Sequence, residues 1–348
     1  MLRRFTTIIS AALLLLMSYA PPARSQAKTA ISGWVRVGTD YVYNDRFRES
    51  FYQAKVQFNV KVSGDLEAQI DVRGESDAHT MELREAILSA DLGKAKGLDF
   101  GHGKKRFGLE FQKSKEHLLT AERTLIYRRL EPFGFVGRDV NFRYYRNARP
   151  ADRRTGISFN LGYSEDHNTT LIGHWTRLRT LGSFALGASG LLQLDKIDGG
   201  SQTVWGFGAE LLRDTEAHHV ELETMIGQEP FQSEFEKRLG GENVYFFGGK
   251  FLYGHRFKTS RPDSPSEKTK GKSGLKAFEP LVVASVWTPN IDAFDLNTLE
   301  LLAGMNFYLA PELRIALNGE LLLTRTSTIS NERSSAGSNV ILQAQLTW

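Results

Sequence analysis

Phe51-Tyr52-Gln53-Ala54-Lys55-Val56-Gln57-Phe58-Asn59-Val60-Lys61-Val62 alternates apolar and polar side chains from Tyr52 onward. On an extended chain, Tyr52, Ala54, Val56, Phe58, Val60 and Val62 share one face, and Gln53, Lys55, Gln57, Asn59 and Lys61 share the other. The run outlasts the usual soluble-sheet strand of about 5–6 residues and matches the tilted spans of about 9–11 residues that a bilayer requires. Leu66, Ala68, Ile70 and Val72 against Glu67, Gln69, Asp71 and Arg73 repeat the pattern after Ser63-Gly64-Asp65, a turn sequence.

Similar segments follow at 157–163, 204–212, 244–253, 278–288, 296–308, 313–324 and 340–348. Sixteen strands are expected, starting near 33, 50, 65, 81, 97, 138, 155, 168, 181, 201, 217, 242, 276, 295, 312 and 337. In hydrocarbon every backbone N–H and C=O must be paired, so strands can span only as a closed sheet. The expected fold is therefore all-β, a transmembrane antiparallel β-barrel of about sixteen strands whose inner face is wet. A mean hydropathy of −0.32 fits, because half of each span is meant for water. A soluble β-sandwich also alternates, but strands near twelve residues do not suit it.

The amino-terminal segment reads as a signal peptide covering 1–25. Arg3 and Arg4 precede an apolar stretch, Ile8 to Met17, and Ala23-Arg24-Ser25 offers a cleavage site before Gln26. At about ten residues that stretch is too short for a membrane helix, which needs about 20. Its removal leaves a barrel of 26–348 with 41 basic and 40 acidic residues, so the basic balance of the whole chain gives no support to nucleic-acid binding. Only Gln26 to Ile31 then precede the first strand. The chain has no cysteine, which excludes disulfides and thiolate metal sites. Bacterial outer-membrane localisation follows from this reading. Trp348, behind Val340, Leu342, Ala344 and Leu346 at two-residue steps, is the kind of terminal aromatic that barrel-assembly machinery reads.

Two long polar connections, 258–276 and 326–338, are expected at the extracellular end, opposite short periplasmic turns such as 63–65 and 309–311. One segment, 104–137, lacks alternation. It is expected to fold into the lumen as a constriction loop, and Phe111 to Arg129 has helix-compatible composition. Alternation places Arg36, Lys55, Lys61, Arg73, Arg143, Arg177, Lys250 and Arg314 inside, with Glu67, Asp71, Glu85, Asp139, Glu221, Glu279 and Glu320. The segment and its exit carry Lys104, Lys105, Arg106, Lys113, Lys115, Arg123, Arg128, Arg129 and Arg138, against Glu110, Glu116, Glu122 and Glu131. With Arg36, Lys55 and Arg143 from the wall, these nine make the candidate anion-binding set, because clustered Arg and Lys in a narrow passage attract anions. Ion pairing that merely holds the loop to the wall is the bland reading of any one of them.

Lys105-Arg106-Phe107-Gly108-Leu109-Glu110, followed by Glu122-Arg123 and by Arg138-Asp139, resembles the phosphate-selective porin O/P family. The likeness continues through 248–257, 277–281, 296–308 and 313–318, so the order of the motifs spans nearly the whole chain. The resemblance implies a sixteen-stranded barrel, a homotrimer in the outer-membrane lipid, and passage of phosphate or polyphosphate through a basic constriction.

The expected function is passive diffusion of small anionic solutes, with a general weakly selective or structural barrel as the alternative and a barrel enzyme further behind. Gly187-Ala188-Ser189-Gly190 lacks the nucleophile-elbow pattern and reads as a small-residue strand. Gly271-Lys272-Ser273 lacks the earlier glycine of a phosphate loop. His218-His219 with Glu221 and Glu223 lies on a strand, where neighbours point to opposite faces, so neither a metal nor any other cofactor is expected.

Overall fold

A computed structural model describes residues 28–42, 51–76, 80–146, 156–164, 168–181, 183–197, 200–228, 244–259, 274–291, 297–328 and 331–348. The proposed signal peptide, most of 258–276 and the side chain of Arg177 lie outside the described residues.

The first strands are β1 (Lys28–Val42), β2 (Phe51–Lys61), β3 (Leu66–Glu75), β4 (Thr80–Gly93), β5 (Lys96–Lys104) and β6 (Arg138–Arg146). Then come β7 (Gly156–Tyr163), β8 (Thr169–Leu181), β9 (Phe184–Ile197), β10 (Gly200–Asp214) and β11 (His218–Gln228). The last are β12 (Tyr245–His255), β13 (Phe257–Lys258), β14 (Ala277–Thr288), β15 (Thr298–Tyr308), β16 (Leu313–Thr328) and β17 (Asn331–Thr347). Since β12 and β13 both pair with β14 and are separated by Arg256 alone, they form one stave. The barrel thus has sixteen staves, all antiparallel to their neighbours, and β17 pairs with β1 to shut it.

The barrel is inside-out, as lipid on one side and water on the other demand. Strand β7 shows it cleanly: Phe159 is 54% exposed on the outer face and Asn160 is 2% exposed on the inner. Around the wall, outward Leu192, Phe207, Leu222, Phe251, Val282 and Leu301 are exposed, while inward Arg36, Asp71, Glu221, Lys250, Glu300 and Asn318 are buried.

The seam is built from the chain's two ends of the sheet. Gly33 N–H donates to the Trp348 carbonyl and Trp348 N–H to the Gly33 carbonyl, both at 3.0 Å. A side chain at position 33 would stand 2.7 Å from the Trp348 ring and 2.3 Å from the Lys55 carbonyl, so only glycine fits.

Several expectations are corrected. The first strand begins at Lys28, pairing with Lys61, rather than after Ile31. Residues 326–338 are not a long loop: the β16–β17 ladder runs on through Arg325↔Ser334 to Thr328↔Asn331. Hydropathy marks where lipid ends, and backbone pairing continues beyond it. Of segment 258–276, expected as an extracellular loop, residues 260–273 lie outside the described residues; its described flanks meet where Thr259 N–H bonds to the Lys276 carbonyl and Lys276 N–H to the Tyr308 carbonyl, beside the 309–312 turn. In the inserted segment, regular helix is confined to α1 (Leu125–Leu130) and one 3-10 turn at Lys115–His117.

Candidate functional site

Strands β5 and β6 pair from Lys96↔Arg146 to Lys104↔Arg138, so the segment that enters the lumen is Lys105 to Gly137. Its apolar residues close onto one wall. Phe107, Ile126, Tyr127, Leu130 and Phe135 are buried against Ile172 of β8, Leu191 of β9, Met225 of β11, Phe246 of β12 and Trp287 of β14. Phe135 meets Phe246 edge-on at 5.2 Å, and Phe246 stacks on Trp287 at 5.0 Å. Gly206 makes room for the Phe135 ring, which would be 2.3 Å from any Cβ there. Ser189, from the small-residue run on β9, accepts a hydrogen bond from Gly108 N–H at 3.3 Å.

A buried polar hub fixes the segment to the same wall. The Lys250 ammonium lies 3.0 Å from Glu110 and Glu221 and 3.3 Å from Glu223. Lys113 pairs with Glu221, and Tyr127 donates its hydroxyl proton to Glu223. Burial, with Glu223 and Glu110 nearby, pushes the Tyr127 phenol well above its usual 10, so it remains a donor. Glu110 in turn accepts from Thr124 N–H at 3.0 Å, and Glu300 accepts from Leu125 N–H at the start of α1. Arg128, at the end of α1, reaches Glu300 at 2.8 Å and also Glu320. Glu110 of the segment and Glu300 of the wall thus accept from backbone N–H groups at the helix start, which no α-helix satisfies internally.

The other wall, β1 to β6, faces a cavity of about 280 Å³. Here contact is made by charges. Arg36 binds Glu122 at 2.7 Å, Lys55 lies 3.5 Å from Glu116 and 3.2 Å from Asp71, and Lys115 lies 3.1 Å from Glu122. Arg138 reaches Glu85 at 3.2 Å, Arg143 reaches Asp99 at 3.1 Å, and Lys105 reaches Asp139 at 3.2 Å. Arg123 donates to the Glu110 carbonyl at 2.8 Å and lies over the Phe111 ring, while Lys104 donates to the Lys113 carbonyl at 3.3 Å. Burial opposes the charge on both Lys115 and Glu122: it lowers the lysine, but Lys115 and Arg36 together outweigh it at Glu122 and hold that carboxyl at about 2. Eight cations and six carboxylates line the cavity, which leaves it net positive.

No family model matches the chain, and no curated protein sequence does. Solved structures do match. The anion-selective porin from Comamonas acidovorans superposes with a TM-score of 0.66 at 11% identity, over 93% of this chain and 100% of that one. OmpT of Vibrio cholerae in its trimer form gives 0.62 at 13% identity, over 93% and 100%. The outer-membrane channel DcaP of Acinetobacter baumannii gives 0.61 at 12% identity, over 94% and 99%. The fold is that of the outer-membrane porins. At such identities the likeness is one of architecture.

Within the barrel, the twelve cations singled out from sequence lie on the inner wall or on the inserted segment, and ten of them have a described polar partner: Lys104, Lys105, Lys113, Lys115, Arg123, Arg128, Arg138, Arg143, Arg36 and Lys55. Arg106 and Arg129 have none among the described residues. Counting the segment's own glutamates underestimates neutralisation, because Glu85, Asp139, Glu221, Glu300 and Glu320 of the wall also take part. Lys61 and Glu67, assigned inward, sit exposed at the rim.

Arg84, Glu75 and Trp34 also line the cavity; Glu75 and Trp34 share the inward parity of Arg73 and Arg36, and only Arg84 escapes a period-two reading. Arg84 does so because of a bulge: Asp71 pairs with Glu85 and Val72 with Leu83, so Arg84 is the extra residue. A bulge re-aims one side chain, and nothing in the alternation marks it.

Proposed function

We propose that this chain is an outer-membrane porin through which small anions diffuse passively. The observation that carries the reading is the charge left after pairing. The cavity beside the inserted segment has an excess of cations, and within that segment Arg106 and Arg129 have no ion pair among the described residues, against Glu131 alone. In a narrow low-dielectric passage, uncompensated guanidinium groups favour anions and match phosphate or carboxylate oxygens in pairs. Inorganic phosphate or polyphosphate is the finer solute assignment and a homotrimer the assembly; both come from the family resemblance. Residues 1–25 serve as the export signal, 104–137 as the constriction, and Trp348 as the mark read during barrel assembly.

Planar-bilayer recordings in a KCl gradient test the reading. A reversal potential of anion-selective sign, with conductance reduced by added phosphate, is expected; cation preference without phosphate block rejects it. The alternative, a weakly selective general barrel, is favoured by the ten partnered cations and would give a reversal potential near zero. An enzymatic reading finds no support at Ser189, whose hydroxyl is buried and engaged with Gly108 N–H.

A further inference from the structure

On the outer face of the barrel, at the end that carries the short turns, β11 and β12 bring three polar atoms together. His218 and His255 are directly opposed in the ladder, and their Nδ1 atoms are 3.0 Å apart. The Tyr253 hydroxyl, two residues along β12 and on the same face, is 3.2 Å from that Nδ1 of His218. An imidazole Nδ1 offers one hydrogen or one lone pair, so a single hydrogen bond cannot serve all three atoms. One of the two contacts is a hydrogen bond in either tautomer, and the three converging heteroatoms have the chemistry to act together as ligands.

The surroundings hold these groups in place. The Phe257 ring packs edge-on against His255 at 4.2 Å and stacks on Phe278 at 4.9 Å. On the His218 side, Thr215 N–H bonds to the His218 carbonyl at 2.9 Å, and Arg256 N–H bonds to the Ala217 carbonyl at 2.7 Å. His219 is no part of the group, since it points to the lumen and bonds to Glu221 at 2.6 Å and to Asp214 at 3.2 Å. Neighbours along a strand diverge and partners across it meet, so the pair is invisible in the His218-His219 sequence.

We propose that His218, His255 and Tyr253 form a divalent transition-metal site on the outer rim of the barrel, with the two imidazole nitrogens as adjacent ligands. At a metal–nitrogen distance of about 2.1 Å, nitrogens 3.0 Å apart subtend about 90° at the metal. That angle suits the tetragonal N,O coordination of copper(II) or nickel(II) better than the tetrahedral angle of zinc, with water completing the shell. Because the two histidines belong to different strands, the bound ion would tie β11 to β12 beside the point where β12 gives way to β13.

Copper(II) titration of the folded, untagged protein in detergent, followed by calorimetry and by electron paramagnetic resonance, tests this site. The expected result is one equivalent bound with two nitrogen ligands, weakened by roughly tenfold or more in H218F and in H255F and less in Y253F. Phenylalanine keeps an aromatic at the rim, so these variants preserve its packing. H219A should bind as the wild type does, and copper should raise the unfolding temperature of the wild type but not of H218F. Equal affinity in the wild type, H218F and H255F, or no binding to the wild type at micromolar copper, overturns the proposal.

Discussion

The two halves of the barrel wall treat the inserted segment in different ways. Strands β8 to β16 grip it with an aromatic core and a buried lysine–carboxylate hub, whereas β1 to β6 touch it through ion pairs beside a charge-lined cavity. Burial and complete pairing make the first contact rigid, because each buried charge there is compensated and any loss leaves its partner stranded. The second contact is also charge-paired, but its cavity is lined by more cations than carboxylates, and Arg106 nearby has no ion pair among the described residues. One half therefore serves to position the segment, and the other is where a solute can compete for charge.

Removing the Lys250 ammonium should have the largest effect. Lys250→Met strands Glu110, Glu221 and Glu223, and a loss of about 3–5 kcal/mol is expected from unfolding in detergent. Wild-type stability in that variant would break the contrast. Ile126→Val trims the aromatic core of the same wall and should cost roughly 0.5–1.5 kcal/mol by the same measurement. On the opposite side, Arg106→Gln removes a cation that has no described partner, so stability should change by less than about 0.5 kcal/mol while the reversal potential moves toward cation preference. An unmoved potential with lowered stability would place Arg106 on the structural side.

Acid should sharpen the comparison by the smallest margin. The Glu122 carboxyl lies below its ordinary 4.5 at about 2, so the stability that its pairing with Arg36 and Lys115 contributes is fully present above 4.5 and is lost as pH falls through about 2. In the folded channel the carboxyl stays ionised until pH approaches about 2, so anion preference should hold from neutral pH down through 4.5 and rise only as pH falls through about 2 and both cations are released. A Glu122→Gln channel should show the raised preference at pH 7, and identical pH profiles for the two channels would exclude Glu122 from the passage.

The staves were readable because lipid and water impose opposite demands on alternate residues: the expected start near 138 is Arg138, and the expected 50, 65 and 97 are Phe51, Leu66 and Lys96. Where neither face meets lipid the signal fades, so the paired stretch around Arg325 and Ser334 reads as loop. The inserted segment was legible as an interruption, and its cations as a cluster. Which wall they would meet was not, since the Lys113–Glu221 and Arg128–Glu300 contacts join residues more than a hundred positions apart. Arg84 was hidden by a single extra residue in β4. Composition gives the number of opposite charges, and only geometry says which of them are within reach.

The join between Gly33 and Trp348 makes the first strand wait for the last. Until residues 331–348 arrive, β1 carries an unsatisfied row of amides that lipid cannot solvate and that a neighbouring chain could take instead. Insertion and completion are thereby coupled, and a copy interrupted anywhere within β17 would present an adhesive margin rather than a sealed tube.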